Sequence, residues 1–99
     1  MPNIVEFVSF NLKKGVSVPD FLLVSEKMNH EFLAARKGYI SRKLLVDGDV
    51  WADLGLWETM EDAQSAANAF GENDAGCEYM TLLDEESVVF HDFSIEKSC

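Results

Sequence analysis

The sequence contains little cysteine and little proline. Of its 99 residues, two are cysteine and two are proline. Cys77 and Cys99 have no Cys or His nearby at the spacing of metal ligands, so we expect no metal site and two free thiols of a reducing compartment. Low-complexity segments and interdomain linkers are also missing, and at this length we expect one domain over residues 1–99.

Positive charge is scarce as well. The sequence has 8 basic and 18 acidic residues, which give a formal net charge of −10. Binding to nucleic acid requires a basic patch that neutralises phosphates, and here the basic residues are scattered along the chain. Nucleic acid and anionic membrane surfaces are therefore not expected as partners. The acidity is interpreted as a solvated surface.

Long apolar runs and cofactor-binding motifs are missing too. No apolar run approaches the ~18 residues of a membrane span, and the first residues, MPNIVEF, have no basic region followed by an apolar core. We therefore predict a cytoplasmic protein. The sequence has no G-x-G-x-x-G loop, Walker-type loop or G-x-S-x-G elbow, so if it is an enzyme we expect no bound metal or nucleotide cofactor.

The sequence does contain a regular succession of strand and helix patterns. Ser17 and Thr59 precede two apolar-periodic segments with capping-box spacing, and Asp47–Gly48 between two β-like runs predicts a tight hairpin turn. The predicted elements are strands over 3–12, 39–46, 49–58 and about 87–95, helices over 17–38 and 59–70, and a short helix over 77–84 capped by Asp74.

This order of elements predicts an α+β, ferredoxin-like β-α-β-β-α-β sandwich. We expect a four-stranded, mostly antiparallel sheet with both helices on one face. The segment VWADLGLW is apolar on both sides, because Trp51, Asp53, Gly55 and Trp57 share one side and Val, Ala and Leu residues occupy the other. Since helices cover only one face, we expect a second copy of the chain to cover the other.

Several segments carry a family resemblance. The pattern GYISRKLL, a D-G turn, VWADLGLWETMEDAQSAA and SVVFHDFSI resembles the antibiotic-biosynthesis-monooxygenase-like family of the dimeric α+β barrel superfamily. LWETMEDA, residues 56–63, resembles the strand-to-helix junction of that family. The resemblance implies a ferredoxin-like fold and a homodimer whose two sheets pair into a barrel. Members include cofactor-independent quinone-forming monooxygenases, haem-degrading enzymes and proteins without a known activity.

The resemblance leaves the reaction open. Haem-degrading members use an Asn, a Trp in the second helix and a His in the following short helix. Here the second helix carries Ala66 and Ala67 and no Trp, and residues 75–84 contain no His, so haem degradation is disfavoured. Two hypotheses remain: a cofactor-independent oxygenase of a quinol-like or polyphenolic molecule, and a non-catalytic small-molecule-binding or regulatory dimer.

Two titratable side chains are candidates for catalysis. Asp53 shares a face with two tryptophans, and a buried carboxylate needs a partner, for which Arg42, Lys43 or His91 are available. A structural salt bridge is the alternative to an acid–base role. His91 lies on an apolar face of the last strand, where it is either a general base in a pocket between sheet and helices or a core histidine.

Three further side chains are candidates for ligand binding. Trp51 begins the third strand and could lie near a pocket mouth, with packing or a dimer contact as the alternative. Asn29 lies at the margin between the first helix and the sheet, where an ordinary boundary role is the alternative. Tyr79, on the short helix, could form the roof of such a pocket. Trp57, at the strand-to-helix junction, is interpreted as a packing residue.

Overall fold

The computed structural model describes residues 3–99 as a sheet with helices packed against it. The elements follow the predicted order, including the short helix after α2, and three-residue 3-10 turns are added at Leu33–Ala35 and at Glu85–Ser87. The strands and helices are β1 (Ile4–Phe10), α1 (Val18–Glu31), β2 (Tyr39–Asp47), β3 (Val50–Trp57), α2 (Met60–Phe70), α3 (Asp74–Thr81) and β4 (Val89–Ser94).

The four strands form one sheet in the order β2-β3-β1-β4. All three neighbouring pairs are antiparallel, and the central strand β1 pairs with β3 on one side and β4 on the other. This strand order and the helices on one face confirm the predicted ferredoxin-like sandwich. The β2–β3 pair has an irregularity between Tyr39 and Ser41, which shifts the register of β2 against β3.

The hairpin between β2 and β3 is confirmed with its turn shifted by one residue. Asp47 pairs with Val50, so the two loop residues are Gly48 and Asp49 rather than Asp47 and Gly48. Gly48 has φ +62°, a conformation that glycine adopts without the steric cost of a Cβ atom. A glycine at the first loop position is typical of a type II′ hairpin, whose twist matches that of the strands.

Two predicted helix starts are confirmed by their caps. The Ser17 hydroxyl accepts a hydrogen bond from the Asp20 backbone N–H at 3.2 Å, and the Thr59 hydroxyl accepts one from the Asp62 N–H at 3.0 Å. Each cap satisfies one backbone donor that the first helical turn leaves free. Local sequence therefore determines where α1 and α2 begin.

Two other helix boundaries were predicted wrongly. α1 ends at Glu31 instead of continuing to Gly38, and a 3-10 turn follows at Leu33–Ala35. Phe32, between the two, packs its ring edge-on against Phe70, with ring centroids 5.4 Å apart. The short helix begins at Asp74 rather than at residue 77. Its cap is Asn73, whose side-chain oxygen accepts a hydrogen bond from the Gly76 N–H at 3.1 Å.

The main core lies between the helices and one face of the sheet. β1 and β3 pair Ile4 with Trp57 and Phe10 with Trp51, so both tryptophans belong to the helix-covered face. Trp57 is 1% exposed and Phe10 is 1% exposed. The helical residues buried against this face include Phe21, Met28, Ala63, Ala66 and Tyr79.

The opposite face of the sheet is apolar and has no helix over it. Val5 and Phe7 of β1 and Leu54 and Leu56 of β3 are half-buried there. The outer strands add Leu45, Val89 and Phe93, which are 42%, 47% and 50% exposed. We call this side of the sheet the open face.

No helix within residues 3–99 is long and apolar enough to cross a lipid bilayer.

Candidate ligand pocket

A cavity of about 520 Å³ lies between the helix-covered face of the sheet and the helices. Cavities of roughly 300–1,000 Å³ with apolar walls and a few polar groups are typical of small-molecule sites. Most of the wall is apolar and comes from all parts of the fold. It includes Val8, Met28, Leu33, Ala66, Phe70 and Leu83.

One polar cluster at the cavity joins β2, β3, α1 and α3. The Arg42 guanidinium donates to Asp53 Oδ1 from Nη2 at 2.6 Å and from Nε at 2.9 Å. The Tyr79 hydroxyl donates to Asp53 Oδ2 at 2.7 Å, and Arg42 also donates to the Ser25 hydroxyl at 2.8 Å. The Arg42 and Asp53 side chains are 8% and 16% exposed.

The hydrogen-bonding groups of this cluster are engaged with one another, as in a buried salt bridge. Burial raises the pKa of Asp53 above its ordinary value, although the Arg42 charge and the Tyr79 hydrogen bond act in the opposite direction. Burial and the negative charge of Asp53 raise the pKa of Tyr79 above its usual range, so its hydroxyl stays protonated and donates. Both carboxylate oxygens of Asp53 accept short hydrogen bonds.

A second polar group at the cavity centres on Glu6. This residue lies in the middle of β1, directly opposite Gly55 of β3 and Asp92 of β4. Burial, and next the negative charge of Asp92, raise the pKa of Glu6 to about 7, and the nearby Trp57 indole N–H offsets part of that rise. Burial also raises the pKa of Asp92. Glu6 therefore exchanges its proton near neutral pH.

The surroundings of Glu6 contain polar atoms that lack partners. Asp92 Oδ1 is buried and makes no hydrogen bond with the described part of the chain. The buried Trp57 indole N–H lies close enough to Glu6 to lower its pKa, but not within hydrogen-bond distance and angle. A Cβ atom on Gly55 would lie 3.3 Å from the Trp57 indole nitrogen and 3.6 Å from Glu6 Oε1. A side chain at position 55 would therefore crowd the Trp57 indole nitrogen and contact Glu6.

Two of the candidate site residues predicted from the sequence, Asp53 and Tyr79, border the cavity. Their partner Arg42 was one of the three side chains considered for Asp53. Trp51 lies away from the cavity wall and packs edge-on against Phe21 of α1, with ring centroids 5.0 Å apart. Asn29 is also outside the cavity wall, and its side-chain oxygen accepts a 3.4 Å hydrogen bond from the Tyr39 hydroxyl.

The prediction that His91 lines a pocket between sheet and helices is wrong. His91 pairs with Phe7 in the β1–β4 ladder, and this register directs its side chain to the open face. The ring is exposed and stacks on Phe93, with ring centroids 5.1 Å apart. The apolar face of β4 that carries His91 is thus the face turned away from the helices.

Glu6 was missed by the sequence reasoning, although a signal was present. In NIVEFVSF it occupies the same face as Ile4, Val8 and Phe10. A carboxylate on a strand face that is otherwise apolar is costly to bury, so it points to a functional or paired group. Asp92, whose negative charge raises the pKa of Glu6, comes from the far end of the chain, and only the sheet brings the two carboxyl groups together.

The fold and the cavity define the class of protein. It is a ferredoxin-like α+β sandwich with an apolar pocket between sheet and helices and one uncompensated carboxyl group in that pocket. Within residues 3–99 no group of three or more His, Cys, Asp or Glu side chains is arranged to hold a metal ion.

Comparison with known proteins identifies the same fold in solved structures. SnoaB, a cofactor-independent oxygenase from Streptomyces nogalater, superposes with a TM-score of 0.79 at 13% identity, covering 99% of this chain and 97% of SnoaB. A candidate antibiotic biosynthesis monooxygenase from Bordetella bronchiseptica gives a TM-score of 0.72 at 18% identity, and the match covers 100% of both chains.

A conserved protein from Methanosarcina mazei gives a TM-score of 0.71 at 14% identity, covering 94% of this chain and 92% of that protein. No protein-family model matches the sequence, and none of the curated proteins matches it. The similarity therefore extends over the whole chain, as the sequence resemblance predicted, and at these identities it concerns the fold.

Proposed function

We propose that this protein is a homodimeric, cofactor-independent oxygenase of the antibiotic-biosynthesis-monooxygenase-like family that acts on a quinol-like or polyphenolic small molecule. The single observation that supports it most is a carboxyl group, Glu6, with a pKa of about 7 at the wall of an apolar cavity of about 520 Å³. A base of this pKa is half ionised near neutral pH, where general base catalysis is most effective.

The chemistry needs little more than a base and a dry pocket. The Glu6 carboxylate would remove the proton of a phenolic hydroxyl, which makes the ring electron-rich enough to react with O2. One oxygen atom of O2 enters the ring as the second quinone oxygen, and the other leaves as water. The substrate gives up four electrons and two hydrogens, and O2 takes up all of them.

The rest of the cavity suits this reaction. Phe70 and Phe90 border it together with aliphatic side chains, so a flat aromatic ring meets apolar and aromatic surfaces. The apolar wall excludes water, which protects a reactive intermediate and strengthens the interaction with Glu6. The fold is that of SnoaB, which is a cofactor-independent oxygenase.

Oxygen consumption with a dihydroxynaphthalene as substrate tests this proposal. The wild-type protein should consume O2 above the rate without protein and form the hydroxynaphthoquinone in equal amount. Glu6→Gln keeps the shape but removes the base, and should lower kcat about 100-fold or more. Glu26→Gln, on the exposed side of α1, is the matched control and should retain the wild-type rate. Equal rates for the wild type and Glu6→Gln would exclude Glu6 as the base.

One observation favours the second candidate function, a non-catalytic binding or regulatory dimer. Arg42, Asp53 and Tyr79 use their hydrogen-bonding groups on one another, which leaves few polar groups to take part in a reaction. For such a protein, calorimetry would detect binding of the dihydroxynaphthalene, but no O2 would be consumed. The two functions therefore differ in a single pair of measurements.

The homodimer is supported by the open face. Its seven apolar residues come from all four strands, and Val5 is paired in register with Leu56 and Phe93. Contiguous exposed apolar surface of this kind marks an interaction site in soluble proteins. In the proposal two such sheets face each other, and the pocket of each subunit stays on the helix side.

A further inference from the structure

We propose that the dimer formed through the open face dissociates in mild acid, because His91 lies within that face and gains a positive charge there as the pH falls. The inference rests on the proposed function in one respect, since it takes the homodimer from it. Its test follows the dimer alone and requires no substrate and no reaction.

His91 lies among the apolar side chains of the open face. It pairs with Phe7 in the β1–β4 ladder, and Phe7 pairs in turn with Leu54 of β3. The imidazole is exposed in the single chain and stacks on the Phe93 ring, with ring centroids 5.1 Å apart. A second sheet that covers Phe7 and Phe93 therefore covers His91 as well.

The charge of the open face suits a second copy of the chain. Among the residues of the four strands, those on this face that are charged at neutral pH are Lys43 and Asp47, both on the outer strand β2. Their charges cancel, whereas the whole chain has a formal net charge of −10. Two copies that repel each other through their overall charge therefore meet little local repulsion at this face.

No carboxylate on the strands lies beside His91 on the open face. Its neighbours there, along β4 and across on β1, are uncharged: Val5, Phe7, Ser9, Val89 and Phe93. Lys43 lies at the far end of the same cross-strand row, and Asp47 lies at the hairpin end of β2. The carboxyl groups of Glu6 and Asp92 lie on the helix side of the sheet. A charged imidazole would therefore be buried in the dimer without an opposite charge from its own sheet.

Burial of this imidazole links the dimer to pH. Histidine is the side chain that ordinarily changes its charge between about pH 5 and pH 8. Covering it with apolar surface disfavours the charged form, so the dimer binds fewer protons than two separate chains. Each subunit contributes one imidazole, and dissociation in acid therefore takes up as many as two protons.

The other titrating groups act in the opposite direction. Glu6, with a pKa of about 7, takes up a proton on the helix side of the sheet over the same range of pH. Each proton bound there makes the acidic chain less negative, which reduces the repulsion between two copies and favours the dimer. The direction of the pH effect therefore separates His91 from the overall charge.

Sedimentation equilibrium of the full chain at about pH 8 and about pH 5.5 tests this inference, with circular dichroism to show that the protein is folded at both. The dissociation constant of the wild-type dimer should be at least about tenfold higher at the lower pH. His91→Gln is uncharged at both pH values, so its dissociation constant should change by less than about threefold.

The second of the two histidines in the chain provides a matched control. His30 is exposed on α1, away from the open face, and His30→Gln should keep the full response of the wild type to acid. If His91→Gln is already monomeric at pH 8, His91→Phe, which is uncharged and apolar, replaces it in the test. An acid response that persists in the uncharged variant would overturn the inference.

Other outcomes are equally decisive. A wild-type dimer with the same dissociation constant at both pH values, or a tighter dimer in acid, would overturn the inference and leave the homodimer intact. A wild type that is monomeric at pH 8 would overturn both. An acid-sensitive dimer without any O2 consumption would support the inference and refute the oxygenase. O2 consumption by a dimer that does not respond to acid would do the opposite.

Discussion

At the scale of single residues, the unusual feature is a glutamate that costs stability when it ionises. Glu6 has a pKa of about 7 against an ordinary value of 4.5, because it is buried and faces Asp92. At a pH between these two values, Glu6 is therefore protonated in the folded chain and ionised in the unfolded chain. Groups with strongly shifted pKa values cluster at functional sites, which is the reason that we propose Glu6 as the base.

The pH dependence of stability follows from this shift. Since Glu6 binds its proton more tightly in the folded state, the free energy of unfolding should fall as pH rises from about 4.5 to 7. Relative to Glu6→Gln, the wild type should lose about 3 kcal/mol between pH 4.5 and pH 8. Urea unfolding of both proteins across this range measures the difference. A constant difference would show that the Glu6 pKa is not raised.

The ion pair of Arg42 and Asp53 makes a contrasting prediction. Arg42→Met leaves the buried Asp53 without its charge partner and should lower the free energy of unfolding by about 3–5 kcal/mol. Lys27→Met is the control, because its pair with Glu78 is exposed to solvent and should contribute little to stability. Denaturant unfolding compares the two. Equal losses would mean that burial of the Arg42–Asp53 pair has no energetic consequence.

At the scale of elements, the helix caps and the hairpin turn are formed by residues close in sequence. One tight contact, at Gly38, instead joins segments that are distant in sequence. Gly38, just before β2, has φ +83°, and a Cβ atom there would overlap the Asp62 side chain in the first turn of α2. The chain between α1 and β2 therefore passes directly against α2. Only glycine fits this place, for both conformational and steric reasons.

A pair of glycine substitutions separates these two reasons. Gly48→Ala in the hairpin meets nothing within 4 Å and should cost about 1–2 kcal/mol of stability from the positive φ alone. Gly38→Ala has a similar φ and an additional overlap with Asp62, so its cost should be clearly larger. Thermal and denaturant unfolding measure both. The same cost for both variants would show that Asp62 moves aside freely.

At the scale of the whole molecule, the apolar open face predicts the oligomeric state. The wild type should sediment at micromolar concentration with about twice the 11.1 kDa mass of one chain. Phe93→Glu places a charge on the open face and should give monomers, whereas Leu23→Glu, at the 67% exposed Leu23 of α1, should leave the dimer intact. A monomeric wild type, or a dimer that survives Phe93→Glu, would exclude pairing through this face.

The order of elements, the hairpin and both caps were predictable from the sequence because they depend on neighbours in the chain. Alternation along β3 also predicted two apolar faces. Of the two helix boundaries that were wrong, the end of α1 coincides with a contact between distant residues, Phe32 and Phe70, whereas the start of α3 is set by the local Asn73 cap that the sequence reasoning missed. The same limit applies to the site. The contact of Asp53 with Arg42 crosses a hairpin and was among the predictions, whereas the contact of Glu6 with Asp92 joins the two ends of the chain and was not predicted.

By itself, the sequence determined the ferredoxin-like order of elements and the sidedness of each strand, since caps, turns and side-chain alternation act over a few residues. Only the tertiary structure decided which side of each strand meets the helices. That decision buries Trp51 beneath α1 and places His91 on the open face. It also brings Asp92 beside Glu6, and the raised pKa of that glutamate arises from burial and a charge that only the folded sheet supplies.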